Sequence, residues 1–204
     1  MRELLLLSGG LDSAALAALR RPHTCLTVDY GQVSARGEFA ASAAICAEIQ
    51  LEHRTITVHA HELGSGLLAG EDRPADQSPS PEWWPFRNQM LVTFGAAWAV
   101  MHEHDVVTIG SVATDGERHV DGRPDFYDRL DALVAMQEGH VRVEAPAVHR
   151  TTIELIEAAG LTDSVLGWTH SCHASAIACG QCPGCEKRLA TLERLGRLQD
   201  VDRG

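Results

Sequence analysis

A short apolar run, Glu3 to Leu7, ends abruptly in Ser8-Gly9-Gly10, and from Asp12 to Leu19 alanine and leucine recur at helical density. A strand that stops at a glycine turn and restarts as a helix is the opening unit of an α/β fold. The alternation continues, with Thr24 to Asp29 a second strand, Ala35 to Ile49 an alanine-rich helix and His53 to Val58 a third strand. Strands joined through helices need right-handed crossovers, which produce a parallel sheet covered on both faces. Further along, Asn88 to His102 reads as a long apolar helix, Val106 to Ile109 as a buried strand closed by Gly110, and Pro124 to Gln137 as another helix. Val141 to Glu144 alternates as a strand, and Thr151 to Ala159 is a capped helix stopped by Gly160. The expected fold class is α/β, a doubly wound, mainly parallel five-stranded sheet of order 3-2-1-4-5, in one domain spanning residues 1–204. Leu63 to Glu82, rich in Gly, Pro, Ser and Asp and without periodicity, is expected to be a mobile loop or lid.

Charge narrows the function classes. A formal net charge of −11 repels a phosphate backbone, so nucleic acid is an unlikely partner. Lys187 is the only lysine, so no lysine chemistry is possible elsewhere in the chain. The apolar run Leu4 to Leu7 is too short for a secretory segment or a membrane span, which leads to the expectation of a cytoplasmic protein. In a reducing compartment, six cysteines are better metal ligands or buried apolar groups than disulfide partners.

The glycine turn has a chemical reading as well as a structural one. Glycines let backbone N–H groups approach an anion closely, the following helix N-terminus favours phosphate, and Ser8 and Ser13 can add hydroxyl donors. The loop lacks the Gly-Lys-Ser/Thr ending of a Walker A sequence and no lysine lies nearby, so its phosphates would be held mostly by amides. Asp12 would orient a magnesium ion or the loop itself, or else cap the helix.

Cys172, Cys179, Cys182 and Cys185 follow a C-x6-C-x2-C-x2-C spacing, with Gly180 and Gly184 letting the chain wrap an ion. Four thiolates suit tetrahedral Zn2+ and leave no position for water, so the metal should be structural, in a C-terminal helical segment over 169–196. An iron–sulfur cluster is the smaller competitor. Cys25 and Cys46 are expected as buried apolar groups. The pairs His59 and His61, and His102 and His104, are expected to be solvated, the second complementing a helix C-terminus. Trp83-Trp84-Pro85-Phe86 is expected to pack in the core. Arg87 and Asn88, opening the long helix, could face a bound carboxylate or base.

Ser-Gly-Gly-Leu-Asp-Ser after a first strand resembles the pyrophosphate-binding loop of the ATP-pyrophosphatase (PP-loop) superfamily, whose nucleotide-binding core is adenine nucleotide α-hydrolase-like. Asp29-Tyr30-Gly31-Gln32, Pro85-Phe86-Arg87-Asn88 and Arg123-Pro124-Asp125-Phe126 are similar, in order, to segments of the 7-cyano-7-deazaguanine synthase family. The resemblance implies ATP with Mg2+ at Leu7, Ser8, Gly9, Gly10, Leu11, Asp12, Ser13, Asp29 and Gly110. It implies catalytic roles for Asp12, Ser13 and Arg87. It also implies a 7-carboxy-7-deazaguanine-like substrate at Tyr30, Gln32, Arg87, Asn88, Asp115, Arg123, Asp125 and Phe126. ATP would adenylate the substrate carboxylate, ammonia would displace AMP to give the amide, and a second activation would give the nitrile. The cysteine cluster would be structural zinc and the assembly a homodimer. The chain departs from the family pattern over Asp115 to Gly122, where Gly122 replaces the usual cysteine, at Thr169-His170-Ser171-Cys172-His173, and at Ser111. These departures keep alternatives open: a paralogue coupling the carboxylate to a protein amine in antiviral defence, or a non-enzymatic zinc-ribbon interaction module.

Overall fold

A computed structural model describes residues 1–71 and 73–197. Its centre is a five-stranded sheet, all parallel, in the order β3-β2-β1-β4-β5. The strands are β1 (Glu3–Leu6), β2 (Thr24–Asp29), β3 (His53–Thr57), β4 (Val106–Thr108) and β5 (Arg142–Glu144). Register pairs Leu5 with Cys25 on one side and with Thr108 on the other, so β1 is central. The leucine run suits that place because both of its faces are covered. Leu4 and Leu6 point into one apolar cluster, while Leu5 and Leu7 point into the other.

The first cluster is closed by α3 (Gly66–Ala69), α4 (Arg87–Met101) and α6 (Pro124–Val134). The second is closed by α1 (Leu11–Arg20), α2 (Ala35–Ile49), α7 (Thr152–Ala159), α8 (Asp163–Trp168) and α9 (Pro183–Arg194). Between β4 and α6 runs α5 (Ala113–Arg118), followed by a 3-10 turn at Val120–Gly122. Strand order reverses at β1, so the loops after β1 and β4 diverge and leave a crevice at the carboxyl edge of the sheet.

Local signals explain most of the element ends. Thr151 caps α7 through a reciprocal pairing with Glu154, and Gly160 ends it at φ 59°. Within 63–82, Gly66–Ala69 forms a helical turn that buries Leu68 and Ala69. Three expectations need correction. His104 is buried, with Nε2 3.1 Å from Thr24 Oγ1, since the chain re-enters the sheet immediately after it; His59, His61 and His102 are exposed. Trp84 packs in the core edge-on to Tyr30, whereas Phe86 is 69% exposed. The C-terminal segment is helical only from Pro183, the residues before it being irregular. Cys25 and Cys46 are buried as expected. No helix among the described residues is long and apolar enough to cross a membrane.

Candidate active site and metal centre

A cavity of about 270 Å3 opens over the carboxyl ends of β1, β2 and β4. One wall is the turn between β1 and α1. Ser13 Oγ donates to Gly10 O at 3.2 Å and accepts from Ser8 N at 3.3 Å, while Ser8 Oγ accepts from Gly10 N at 3.4 Å. These bonds hold the loop in a tight coil at the mouth of the helix. Gly9, at φ 75°, meets α2 so closely that an added Cβ would lie 2.8 Å from Ala41 Cβ. Gly10 is the N-cap of α1, so Asp12 lies within the first helical turn and does not cap it. Gly110 packs on the backbone of Ser13, bringing the loop after β4 against the loop after β1.

Leu7, Ser8, Gly10, Leu11, Asp12, Ser13, Tyr30, Arg87, Asn88, Gly110 and Asp115 all line this cavity. Other candidates lie off its wall. Gly9 turns towards α2, and its carbonyl accepts a bond from His170 N at 2.8 Å. Asp29 Oδ1 accepts from Gly31 N, and the buried Gln32 amide is committed to Val28 O, Glu38 and Tyr30 N. Arg123 donates to Gly116 O, Asp125 pairs with Arg129 on the exposed face of α6, and Phe126 packs against the first cluster.

The opposite wall contains groups that no local pattern announced. The expectation that no lysine lies near the loop is overturned: Lys187 Nζ sits 2.9 Å from Asp12 Oδ2 and 3.6 Å from Asp115 Oδ1. Burial raises the Asp12 carboxyl pKa, with Lys187 acting against it; burial also disfavours the Lys187 charge, yet the two carboxylates hold its pKa above the ordinary value. The close contact is that of an ion pair. Asp12 Oδ1 is buried without a hydrogen-bond partner. Glu82, at the end of the 63–82 segment, pairs with Arg118 at 2.5 Å and with His119 at 3.8 Å. Although burial opposes its charge, the neighbouring His119, the Glu82 backbone N–H and Arg118 hold the carboxyl down at about 2. His173 sits among cations; burial first, then Arg87, pull its pKa down to about 4.

Arg87 begins α4 directly after Phe86, a non-glycine residue at φ 57°. A backbone held in the left-handed region sets the angle at which α4 starts and so aims Arg87 at the cavity. Asn88 is spent on scaffolding, donating to Asp121 O at 3.0 Å and to the Tyr127 hydroxyl at 3.2 Å. Tyr127 in turn meets Ser111 Oγ at 2.5 Å. Burial drives the Tyr30 and Tyr127 phenols upward, so both stay neutral hydrogen-bonding groups.

Beside the cavity, the thiol sulfurs of Cys172, Cys179, Cys182 and Cys185 all lie within 4.8 Å of one another. The Cys172–Cys182 and Cys179–Cys185 separations are 3.9 and 4.0 Å. A tetrahedral ion with metal–sulfur bonds of about 2.3 Å sets its sulfurs about 3.8 Å apart, so the residues fit such an ion. His173 N donates to Cys182 Sγ at 3.3 Å, the kind of support that orients a thiolate ligand. Gly184 has no room for a side chain, since a Cβ there would fall 1.8 Å from Ser171 O. These four cysteines could hold a metal such as zinc.

The queuosine biosynthesis protein QueC family matches residues 2–196. The chain belongs to the QueC family. Relatives named 7-cyano-7-deazaguanine synthase match almost end to end. One from Methanothermobacter thermautotrophicus is 30% identical over 214 residues, covering 96% of each chain. One from a Synechococcus strain is 34% identical over 211 residues, covering 94% of each. One from Pseudomonas aeruginosa is 28% identical over 205 residues, covering 92% of this chain and 91% of its own. The parallel sheet of order 3-2-1-4-5 is the PP-loop fold of the QueC family.

Proposed function

We propose that the protein is an ATP-dependent carbon–nitrogen ligase that converts 7-carboxy-7-deazaguanine and ammonia into 7-cyano-7-deazaguanine through the amide. The observation that carries this reading is a cavity lined by the glycine turn residues Ser8 and Gly10 to Ser13 on one side and by Arg87 and Arg118 on the other. A nucleotide needs the first and an acidic purine-like substrate the second. The names borne by the QueC relatives agree with it.

In this reading the triphosphate lies on the amides of Ser8 to Gly10 with the Ser8 and Ser13 hydroxyls, and the adenine rests beside Leu26 and Val28, which line the same cavity. Mg2+ bound with ATP would reduce the phosphate charge, with Asp12 and Asp115 as the carboxylates on that side. Arg87 orients the substrate carboxylate. One carboxylate oxygen attacks the α-phosphorus, the bond to the bridging oxygen breaks, and pyrophosphate leaves with the electron pair. Ammonia then displaces AMP to give the amide. A second adenylation, now on the amide oxygen, lets AMP depart with that oxygen and leaves the nitrile. The chain supplies position and charge; no nucleophilic side chain is required. Zn2+ on the four cysteines is structural, Segment 63–82 acts as a lid pinned by the Glu82–Arg118 pair, and the active form is a cytoplasmic homodimer.

The test incubates purified protein with 7-carboxy-7-deazaguanine, ATP, Mg2+ and ammonium and identifies products by mass spectrometry. Nitrile with AMP is the expected outcome. Amide alone, or AMP only when a protein amine is supplied, would assign the conjugating reaction instead. No ATP consumption with any acceptor would leave a zinc-ribbon binding module.

A further inference from the structure

We infer that Lys187 is a phosphate-contacting residue that neutralises the departing pyrophosphate, and that the cysteine knuckle is the device that delivers it to the loop. The inference rests on the ATP-dependent reading above and adds a residue to it. Lys187 is the only lysine of the chain, it lines the cavity, and its ammonium stands 2.9 Å from Asp12, in the first turn after the phosphate loop. Its neighbour Arg188 is committed elsewhere, donating to Thr169 Oγ1 and Leu166 O at 3.0 Å each. Of the two α9 cations that line the cavity, Lys187 is therefore the one left for the loop.

The route by which it arrives is itself informative. Cys182 is the N-cap of α9, Cys185 lies in its first turn, and Lys187 follows within the same helix. The segment leading to the knuckle is bonded to the phosphate loop through His170 N and Gly9 O at 2.8 Å, and the His170 ring rests against Gly37 of α2. An ion held by the four sulfurs would fix the angle of α9, and the His170 bond fixes the height of the segment leading to it over the loop. A lysine is a flexible point charge, so such anchoring at its base, together with carboxylates at its tip, removes much of the entropy it would otherwise lose on meeting an anion.

When the α-phosphorus accepts the substrate oxygen and the bridging P–O bond breaks, negative charge accumulates on pyrophosphate. Lys187 keeps all its protons and contacts a phosphate oxygen, while Asp12 and Asp115 retain it between turnovers. No proton is transferred by the residue.

The experiment measures magnesium pyrophosphate binding by calorimetry, together with kcat and the KM for ATP, in the zinc-loaded wild type, Lys187→Met and Lys187→Arg. Lys187→Met should weaken pyrophosphate binding about 10- to 100-fold and lower kcat, with zinc content unchanged, because it removes a charged hydrogen bond. Lys187→Arg should recover most of the binding. Should Lys187→Met lose its zinc, Lys187→Gln carries the same comparison, since it keeps a donor for Asp12 without the charge. Wild-type binding and kcat in an uncharged variant that retains zinc would overturn the inference and reduce Lys187 to a structural partner of Asp12. A wild-type protein that binds neither ATP nor pyrophosphate would instead overturn the ATP-dependent reading itself.

Discussion

The two walls of the cavity are built in opposite ways. The loop wall is continuous in sequence, Ser8 to Ser13, and is held by local hydrogen bonds among backbone groups and two hydroxyls. The facing wall is gathered from Glu82, Arg87 of α4, Asp115 and Arg118 of α5, His173 and Lys187 of α9, which lie far apart in sequence, and ion pairs hold much of it. Backbone amides cannot be exchanged by substitution, whereas each member of an ion-paired wall can be replaced singly. In the function proposed above, the loop wall together with Lys187 would meet the phosphates, and Arg87 and Arg118 of the facing wall would meet the acceptor.

The sharpest break in this comparison is Cys182→Ala. If the assembled wall depends on the knuckle, the variant should lose its bound metal, its activity should fall by about 100-fold or more, and hydrogen exchange should rise across 169–194 while β1 and α1 stay protected. Uniform loss of protection would show that the walls are not separate. The loop wall is probed next by Gly9→Ala. With φ at 75° and Ala41 Cβ at 2.8 Å from the new methyl, the substitution should cost about 1–3 kcal/mol in thermal or urea unfolding. It should also raise the KM for ATP about tenfold with metal content intact.

The smallest effect concerns the Glu82–Arg118 pair. The Glu82 carboxyl is held at about 2 in the folded protein against the ordinary 4.5, so its contribution is complete above about 4.5 and is lost as pH falls towards 2. Glu82→Gln should therefore be destabilised at pH 7, by on the order of 2 kcal/mol, and the gap from wild type should close between those limits in melting curves recorded against pH. A gap independent of pH would mean that Glu82 acts by packing alone.

Legibility followed the same division. The strand order and the β1, β2 and α2 positions were readable because an apolar run with a fixed period specifies burial locally. The loop and the cysteine cluster were readable for a similar reason, since glycine and thiol spacing carry their chemistry with them. Helices α5 and α8 were missed: their short sequences, ATDGER and DSVLGW, are too brief to show a period. Lys187 and Glu82 were missed as cavity residues, and Arg118, His119 and His173 stood out only as members of the departing segments Asp115 to Gly122 and Thr169 to His173, because their roles depend on distant elements meeting over the sheet. One signal was available. A single lysine in the chain, two residues beyond the last cysteine of a metal cluster, is an unusual coincidence of position. Gln32 and Asp29 illustrate the converse, since both stand in a family-like segment yet spend their side chains on their own turn.

The most direct test of the account follows the oxygen. The protein would be given 7-carboxy-7-deazaguanine labelled with 18O in its carboxylate, with ATP, Mg2+ and ammonium, and the released nucleotide would be weighed by mass spectrometry. Adenylation predicts AMP carrying one labelled oxygen from the substrate. Unlabelled AMP, or ADP in its place, would contradict attack of the carboxylate on the α-phosphorus and with it the function proposed for this cavity.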